Sequence, residues 1–259
     1  LLKYKKRSMR YTLILFFAVI LAHTTKAQAI QEDTTVRIIS VAVSAGIDTP
    51  GGDLKQRFGI SNTVGGSVIY KTMSNWVFMA EGDYLFGRDV KITDRLLENI
   101  ATEEGYIIDE GGIFTDIAVL QAGLTANISA GKLFPVFGPN KNSGIVVMAG
   151  AGYMFHKIRI EQNENSAPQI SGEYGKGYDR LTEGINTSQF IGYQYYGNNN
   201  ITNFYVGIEL HQGWTSPSRP YNFDEMRRPG GNRFDALYGL KVGWIVPLGK
   251  QTGRKVFVY

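Results

Sequence analysis

The stretch FDALYGLKVGWIVPL, residues 234–248, sets a lysine in the middle of an otherwise apolar run. A charge among apolar neighbours is costly unless it is paired, so the run must present two different faces. It does so at period two. Phe234, Ala236, Tyr238, Leu240, Val242, Trp244 and Val246 share one side, while Asp235, Gly239, Lys241 and Gly243 share the other. Strict alternation of this kind reads as a β-strand with one apolar face.

The same alternation recurs upstream in IISVAVSAGID (38–48), ISNTVGGSVIY (60–70), WVFMAEGDYLFG (76–87) and FTDIAVLQAGLTANIS (114–129). It continues in IVVMAGAGYMFH (145–156), QFIGYQYYG (189–197) and NFYVGIELHQGW (203–214). With the opening stretch these make eight strands, each long enough for a tilted membrane crossing of about 9–11 residues. Long polar connections follow the first, third, fifth and seventh. The short segments KTMSN, AGKLFPVFGPNKNS and GNNN follow the second, fourth and sixth. An even strand number with alternating long and short connections predicts an all-β fold, a closed eight-stranded antiparallel transmembrane β-barrel with long extracellular loops and short periplasmic turns.

Aromatic placement fits the same reading. Trp76 and Trp244 fall at the periplasmic rim with Tyr70 and Phe204, and Trp214, Tyr84, Phe86 and Phe234 fall at the outer rim. Aromatic girdles at both interfaces are expected of such barrels. A β-sandwich or a soluble lipocalin-like barrel would also alternate. A soluble barrel, however, needs large side chains inside, and here the polar face is rich in Gly and Ser while the three Trp lie near strand ends.

The chain has no Cys, which excludes disulfides, thiolate metal sites and a Cys nucleophile. Residues 1–27 hold six bases (Lys3, Lys5, Lys6, Arg7, Arg10, Lys26) and no acid, so the rest carries 27 − 6 = 21 bases against 23 acids. That balance gives no electrostatic case for nucleic-acid binding. The basic KYKKRSMR, the short apolar YTLILFFAVILA and the small residues around Ala27 read as a cleavable signal peptide over 1–27, with cleavage as late as 29 and Met9 as initiator. The remaining chain divides into a periplasmic N-terminal segment (28–36), the barrel (37–249) and a periplasmic C-terminal tail (250–259).

The region after the signal resembles the small eight-stranded outer-membrane barrels of Bacteroidota. The resemblance is carried by the signal ending KAQA and by NSGIVVMAGAGYMFHKIRIE (142–161), GYDRLTEG (177–184), YNFDEM (221–226) and GWIVPLGKQTGRKVFVY (243–259). It implies an outer-membrane location in a Gram-negative bacterium and a place among envelope-stabilising proteins or accessory subunits of secretion or barrel-assembly machines. It brings no catalytic residues.

In the register of the opening stretch Lys241 points into the lumen, as do Glu209, Glu81 and Asp83. The expectation is a luminal charge network of these four, in which either Glu209 or, as the competing possibility, Glu81 or Asp83 holds Lys241, and to which Gln121, Gln194 and Tyr205 could supply further hydrogen bonds. His156 and His211 share the inward parity and read as hydrogen-bonded luminal residues, since no Ser-His-acid set is evident. The loop GEYGKGYDRLTEG (172–184) offers Tyr174, Tyr178 and Arg180, residue types enriched at binding hot spots. Asn186-Thr187-Ser188 matches a glycosylation sequon at a loop–strand junction. The acidic residues Glu98, Glu103, Glu104, Asp109 and Glu110 lack ligand spacing and read as a solvated loop. Arg227 and Arg228 are candidate contacts to lipopolysaccharide phosphates.

These readings point to a barrel with a structural or protein-interaction role, with no catalytic residues, no metal and no cofactor. Its expected partners are outer-membrane lipid, lipopolysaccharide and another outer-membrane protein. A narrow porin-like channel and, less favoured, a lipid-modifying enzyme are the alternatives.

Overall fold

The computed structural model describes residues 34–162, 167–197 and 202–253, with side chains described as far as Leu248. The expected signal peptide and residues 254–259 of the tail lie outside the described residues. Eight strands close into one antiparallel ring: β1 (Val36–Gly52), β2 (Ser61–Lys71), β3 (Trp76–Gly87), β6 (Ile117–Phe134), β7 (Gly144–Gln162), β8 (Thr182–Tyr196), β9 (Asn203–Pro217) and β10 (Arg233–Gly253). Each strand pairs with its sequence neighbours in the ring, and β10 returns to β1 through a long ladder running from Ile39↔Leu248 to Gly52↔Asp235. A two-stranded hairpin, β4 (Ile107–Ile108) and β5 (Phe114–Thr115), stands apart in the loop after β3. The ring strands thus run from 36 to 253, beyond the 37–249 expected. Among the described residues, no helix is long and apolar enough to cross a membrane.

Parity decides which residues meet lipid. Ile39, Val43, Ile47, Val64, Val68, Ile185, Ile208, Leu240 and Val242 point outward and are exposed, and Ile128 is 74% exposed. Ser40, Ser44 and Asp48 on the opposite parity of β1 are buried. An outward apolar band with a buried polar parity is the reverse of a water-soluble barrel and suits a bilayer. The aromatic rims form pairs. Tyr195–Phe204 (5.2 Å) and Tyr70–Phe78 (6.4 Å) stack at the short-turn end, where Lys132 Nζ lies 5.3 Å from the Trp76 ring. Tyr84–Phe86 (6.0 Å) and Trp214–Phe234 (6.1 Å) meet at the long-loop end.

Several strands overshoot a bilayer. β6, β7 and β10 have 18, 19 and 21 residues, well above the crossing length. The extra length of β6 and β7 lies at the outer end, that of β10 at the short-turn end beside the start of β1, and the long loops fold back over the mouth. The first loop turns through a 3₁₀ helix (Leu54–Gln56), the second through α1 (Thr93–Leu97), and the third through a 3₁₀ helix (Pro168–Ile170) and α2 (Gly172–Gly175). These loops are not simply polar. Leu54, Phe58, Val90, Leu96, Ile107 and Tyr178 bury themselves against Leu85, Met154, Ile158 and Leu237 of the barrel, forming an apolar cap.

The short-turn end is closed differently. The turn between β6 and β7 tucks beneath the barrel floor. Asn142 Oδ1 accepts from Val36 N (3.0 Å) and from Lys71 Nζ (2.8 Å), while Asn140 Nδ2 donates to Tyr196 O (2.7 Å). Above this polar floor lies an apolar layer that includes Ile38, Ile69, Val77, Leu133, Val146, Met148, Phe190 and Ile245. A void of about 10 Å³ remains there, no more than one water would need.

Because Ile128 stands near the middle of β6 and faces outward, Ile128→Lys places a charge at the bilayer midplane. The expected cost is about 2–4 kcal/mol in lipid. A urea titration of the barrel refolded into vesicles measures it, and an unchanged midpoint would mean that this face does not meet hydrocarbon.

Candidate functional site

At mid-height the lumen holds one ammonium and three carboxylates. Lys241 Nζ lies 2.9 Å from Glu81 Oε2, 2.9 Å from Asp83 Oδ2 and 3.1 Å from Glu209 Oε1. All four residues are buried. They come from three strands, β3, β9 and β10, and meet across the barrel rather than along one ladder. Glycine makes the room. Lys241 is flanked by Gly46 on β1 and Gly207 on β9. Opposite Asp83 in the β2–β3 register stands Gly65, where an added Cβ would collide with the Asp83 carboxylate.

The supporting hydrogen bonds differ from expectation. The choice between Glu209 and the Glu81–Asp83 pair as holder of Lys241 falls to neither alone, because all three carboxylates share the ammonium at nearly equal distance. Gln121 and Gln194 are spent elsewhere: Ser61 Oγ donates to Gln121 Oε1 (2.6 Å), and Gln194 Nε2 donates to the Tyr196 hydroxyl (2.9 Å). Tyr205 belongs to the apolar layer above the floor, edge-on to Phe190 at 5.7 Å. The groups that do join are Ser44, whose hydroxyl donates to Asp83 Oδ1 (3.2 Å), and His211, whose Nε2 lies 3.3 Å from Glu209 Oε2. Asn186 Nδ2 lies 3.2 Å from His211 Nδ1, which orients the ring. Asn186 is therefore an inward residue of β8, buried in the barrel, rather than part of a loop-side sequon.

A second polar group sits higher. His156 Nε2 is 2.9 Å from Asp235 Oδ2, Thr215 donates to the same oxygen, and Arg233 reaches Asp235 Oδ1 at 3.4 Å. The Phe58 ring closes over His156 edge-on at 5.9 Å. Both histidines are thus held by inward acids.

The loop trio splits. Tyr174 is exposed, but Tyr178 and Arg180 are buried. Tyr178 packs edge-on against Phe223 at 5.6 Å, and Arg180 pairs with Asp224 and, at 3.1 Å, with Glu225. Large aromatic and guanidinium groups serve as internal struts as well as contact residues, and sequence cannot separate the two uses. Arg227 is also tied down, its Nε donating to Glu225 Oε2 at 2.9 Å. Among the described residues, no group of three or more acidic or histidine side chains is placed to hold a metal.

The third and fourth outer loops are strapped together by these ion pairs and by Arg219, which grips Asp179 with two nitrogens (2.9 and 2.5 Å). Burial raises the Glu225 carboxyl, but hydrogen bonds from Arg227 and Arg180 outweigh it and hold it at about 2, against an ordinary value of 4.5.

Two outcomes follow from this geometry. Lys241→Met leaves three carboxylates buried without their cation, and breaking a buried ion pair from one side costs about 3–5 kcal/mol. Adding Glu209→Leu recovers only part of that loss, because Glu81 and Asp83 still face each other. Removing all three acids with the lysine should recover most, and urea titrations of the refolded barrels in lipid distinguish these levels. The second concerns pH. A carboxyl held low in the folded state contributes fully above about 4.5 and loses that contribution as pH falls toward about 2. The outer strap should stay closed at neutral pH and loosen across that acid window. Hydrogen exchange of residues 218–232 reads it, and Glu225→Gln should remove the dependence.

The barrel is similar to three solved structures. The attachment invasion locus protein Ail of Yersinia pestis is 8% identical with a TM-score of 0.41, over 81% of this chain and 98% of Ail. The N-terminal β-barrel domain of Pseudomonas aeruginosa OprF is 12% identical with a TM-score of 0.34, over 83% and 100%. A major outer membrane protein of Thermus thermophilus is 9% identical with a TM-score of 0.38, over 80% and 98%. No protein-family model and no curated protein matches the chain.

Proposed function

We propose that the chain is a non-conducting barrel of a Gram-negative outer membrane that works by binding, as an accessory subunit of an outer-membrane assembly or secretion machine of the Bacteroidota type. The observation that carries this reading is the filling of the lumen at every level. A polar floor, an apolar layer, the Lys241 cluster, the His156–Asp235 group and the loop cap occupy the bore in succession. Eight strands enclose only enough space for side chains, and a cation held by three acids leaves no polar file for ions to follow. That the barrel is no enzyme belongs to this proposal, and it is supported by the burial of both histidines within the barrel, away from any substrate path. Export by the signal peptide of residues 1–27 is part of the same proposal.

Binding is placed on the outer loops. The β4–β5 hairpin projects Tyr106, Ile108, Ile113 and Phe114, all exposed, with the Tyr106 and Phe114 rings 4.9 Å apart. A cluster of exposed apolar side chains on a small hairpin is the kind of surface that a protein partner covers.

Purified protein in planar bilayers should show negligible conductance, and steady open single-channel currents would favour the porin-like alternative. Native purification from the outer membrane should recover a co-migrating membrane protein. Ile113→Asp combined with Phe114→Ser should abolish that recovery while heat resistance of the barrel is kept. Unchanged recovery would remove the hairpin from the interface.

A further inference from the structure

The outer mouth contains a cavity of about 330 Å³ where the four outer loops meet, within the range of ligand sites. Five arginines line it: Arg57, Arg95, Arg180, Arg227 and Arg233. Among the described residues, the acids on its wall are Asp224 and Glu225, so cations exceed anions by 5 − 2 = 3.

Both acids are engaged by these arginines, although Asp224 Oδ1 is buried without a hydrogen-bond partner among the described residues. Glu225 takes Arg95 (3.0 Å), Arg180 (3.1 Å) and Arg227 (2.9 Å), and Asp224 takes Arg180. Arg233 reaches Asp235, which also serves His156, and otherwise donates to the carbonyl of Asp53. Arg57 has no carboxylate within ion-pair distance among the described residues. Its Nη1 donates to the Arg180 carbonyl (3.2 Å) and the Thr182 hydroxyl (2.9 Å). Yet Arg57 is 8% exposed, and a buried guanidinium without a counter-ion is costly. Its basicity falls accordingly: burial, and then the charges of Arg233 and Arg180, outweigh the weaker pull of Asp235 and Glu225 and lower Arg57 to about 10. The backbone is strained at the same place, with Arg180 and Met226 both at φ 51°. Non-glycine residues in that region are uncommon and are retained where the surroundings hold them for a purpose.

The cavity faces outward from the cap, and its lining is mostly polar. Guanidinium forks match tetrahedral oxyanions two oxygens at a time. The volume exceeds what a lone oxyanion fills, and Gln56 and Asn222 on the wall, whose amide nitrogens donate to Asp53 and Glu225, keep amide oxygens that can accept from hydroxyl groups. We infer that this cavity is a binding site for a phosphate-bearing saccharide, with Arg57 as the central cation and Arg95 and Arg227 at the rim. Such a group reaches the mouth either as a soluble sugar phosphate or as the phosphorylated headgroup of an outer-leaflet glycolipid. The site is separate from the hairpin surface assigned to a protein partner, so either can fail without the other.

The test uses the full exported chain, purified in detergent and in nanodiscs with and without lipid A. Calorimetric titration with glucose 1,6-bisphosphate, and with inorganic phosphate for comparison, reads soluble ligands; the two nanodisc preparations, compared by thermal unfolding, read the lipid source. The expected result is saturable binding of the sugar bisphosphate, tighter than inorganic phosphate, or a lipid-A-dependent rise in unfolding temperature, according to the source. Arg57→Gln should weaken the effect at least tenfold. Because that change can disturb the cap, the rim variant Arg95→Ala with Arg227→Ala is measured too. Both side chains are largely exposed, so the barrel should fold normally and binding should weaken several-fold, with a shallower salt dependence. Absence of saturable binding in both formats, binding no tighter than phosphate alone without any lipid A effect, or binding indifferent to the rim variant would overturn the assignment.

Discussion

Closure of β10 onto β1 is the constraint on which the rest depends. In hydrocarbon no water can satisfy a free backbone N–H or C=O, so a sheet can cross only if it has no edge. The long ladder between the first and last strands provides that closure. Once the ring is shut, the pleat assigns every residue to lipid or to lumen. A shift of one residue in any strand would turn its apolar face inward and its charges outward. Lys241 is therefore internal because Leu240 and Val242 must be external.

A closed ring of eight strands then has to fill its own interior. It does so in layers whose chemistry alternates: polar floor, apolar layer, charge cluster, histidine–acid group, apolar cap. The charge cluster is the most demanding of these. Desolvating an ammonium and three carboxylates costs more than a single attraction returns, and the barrel offsets this by converging all three acids on one cation. Glycines on neighbouring strands supply the space. The result is a rigid plug, which suits a binding protein better than a conduit.

The outer loops do two jobs with one set of residues. Their apolar side chains close the mouth from above, and their ion pairs hold the third and fourth loops together. The same straps crowd guanidinium groups around the mouth beyond what the local acids can neutralise. Seal and surplus positive charge arise together, because the arginines that fasten the loops outnumber the acids they fasten to.

The strand pattern, the ring, the inward parity of Lys241, Glu81, Asp83 and Glu209, and the aromatic rims were all legible in the sequence. Each depends on local alternation, and the period-two pleat converts alternation directly into sides. What alternation cannot show is distance across the lumen. That the three acids share Lys241 equally, that Gln121 and Gln194 bond elsewhere, and that Leu237 and Ile245 join internal apolar layers depend on which strands face each other through the bore. Loops carry no period at all. Tyr178 and Arg180 have the same residue types whether they project or turn inward, and only the packing of Phe223, Asp224 and Glu225 around them decides that they are struts. The arginine cavity is likewise absent from any one segment. Its five cations come from four separate stretches of chain, and only the folded mouth brings them within reach of one ligand.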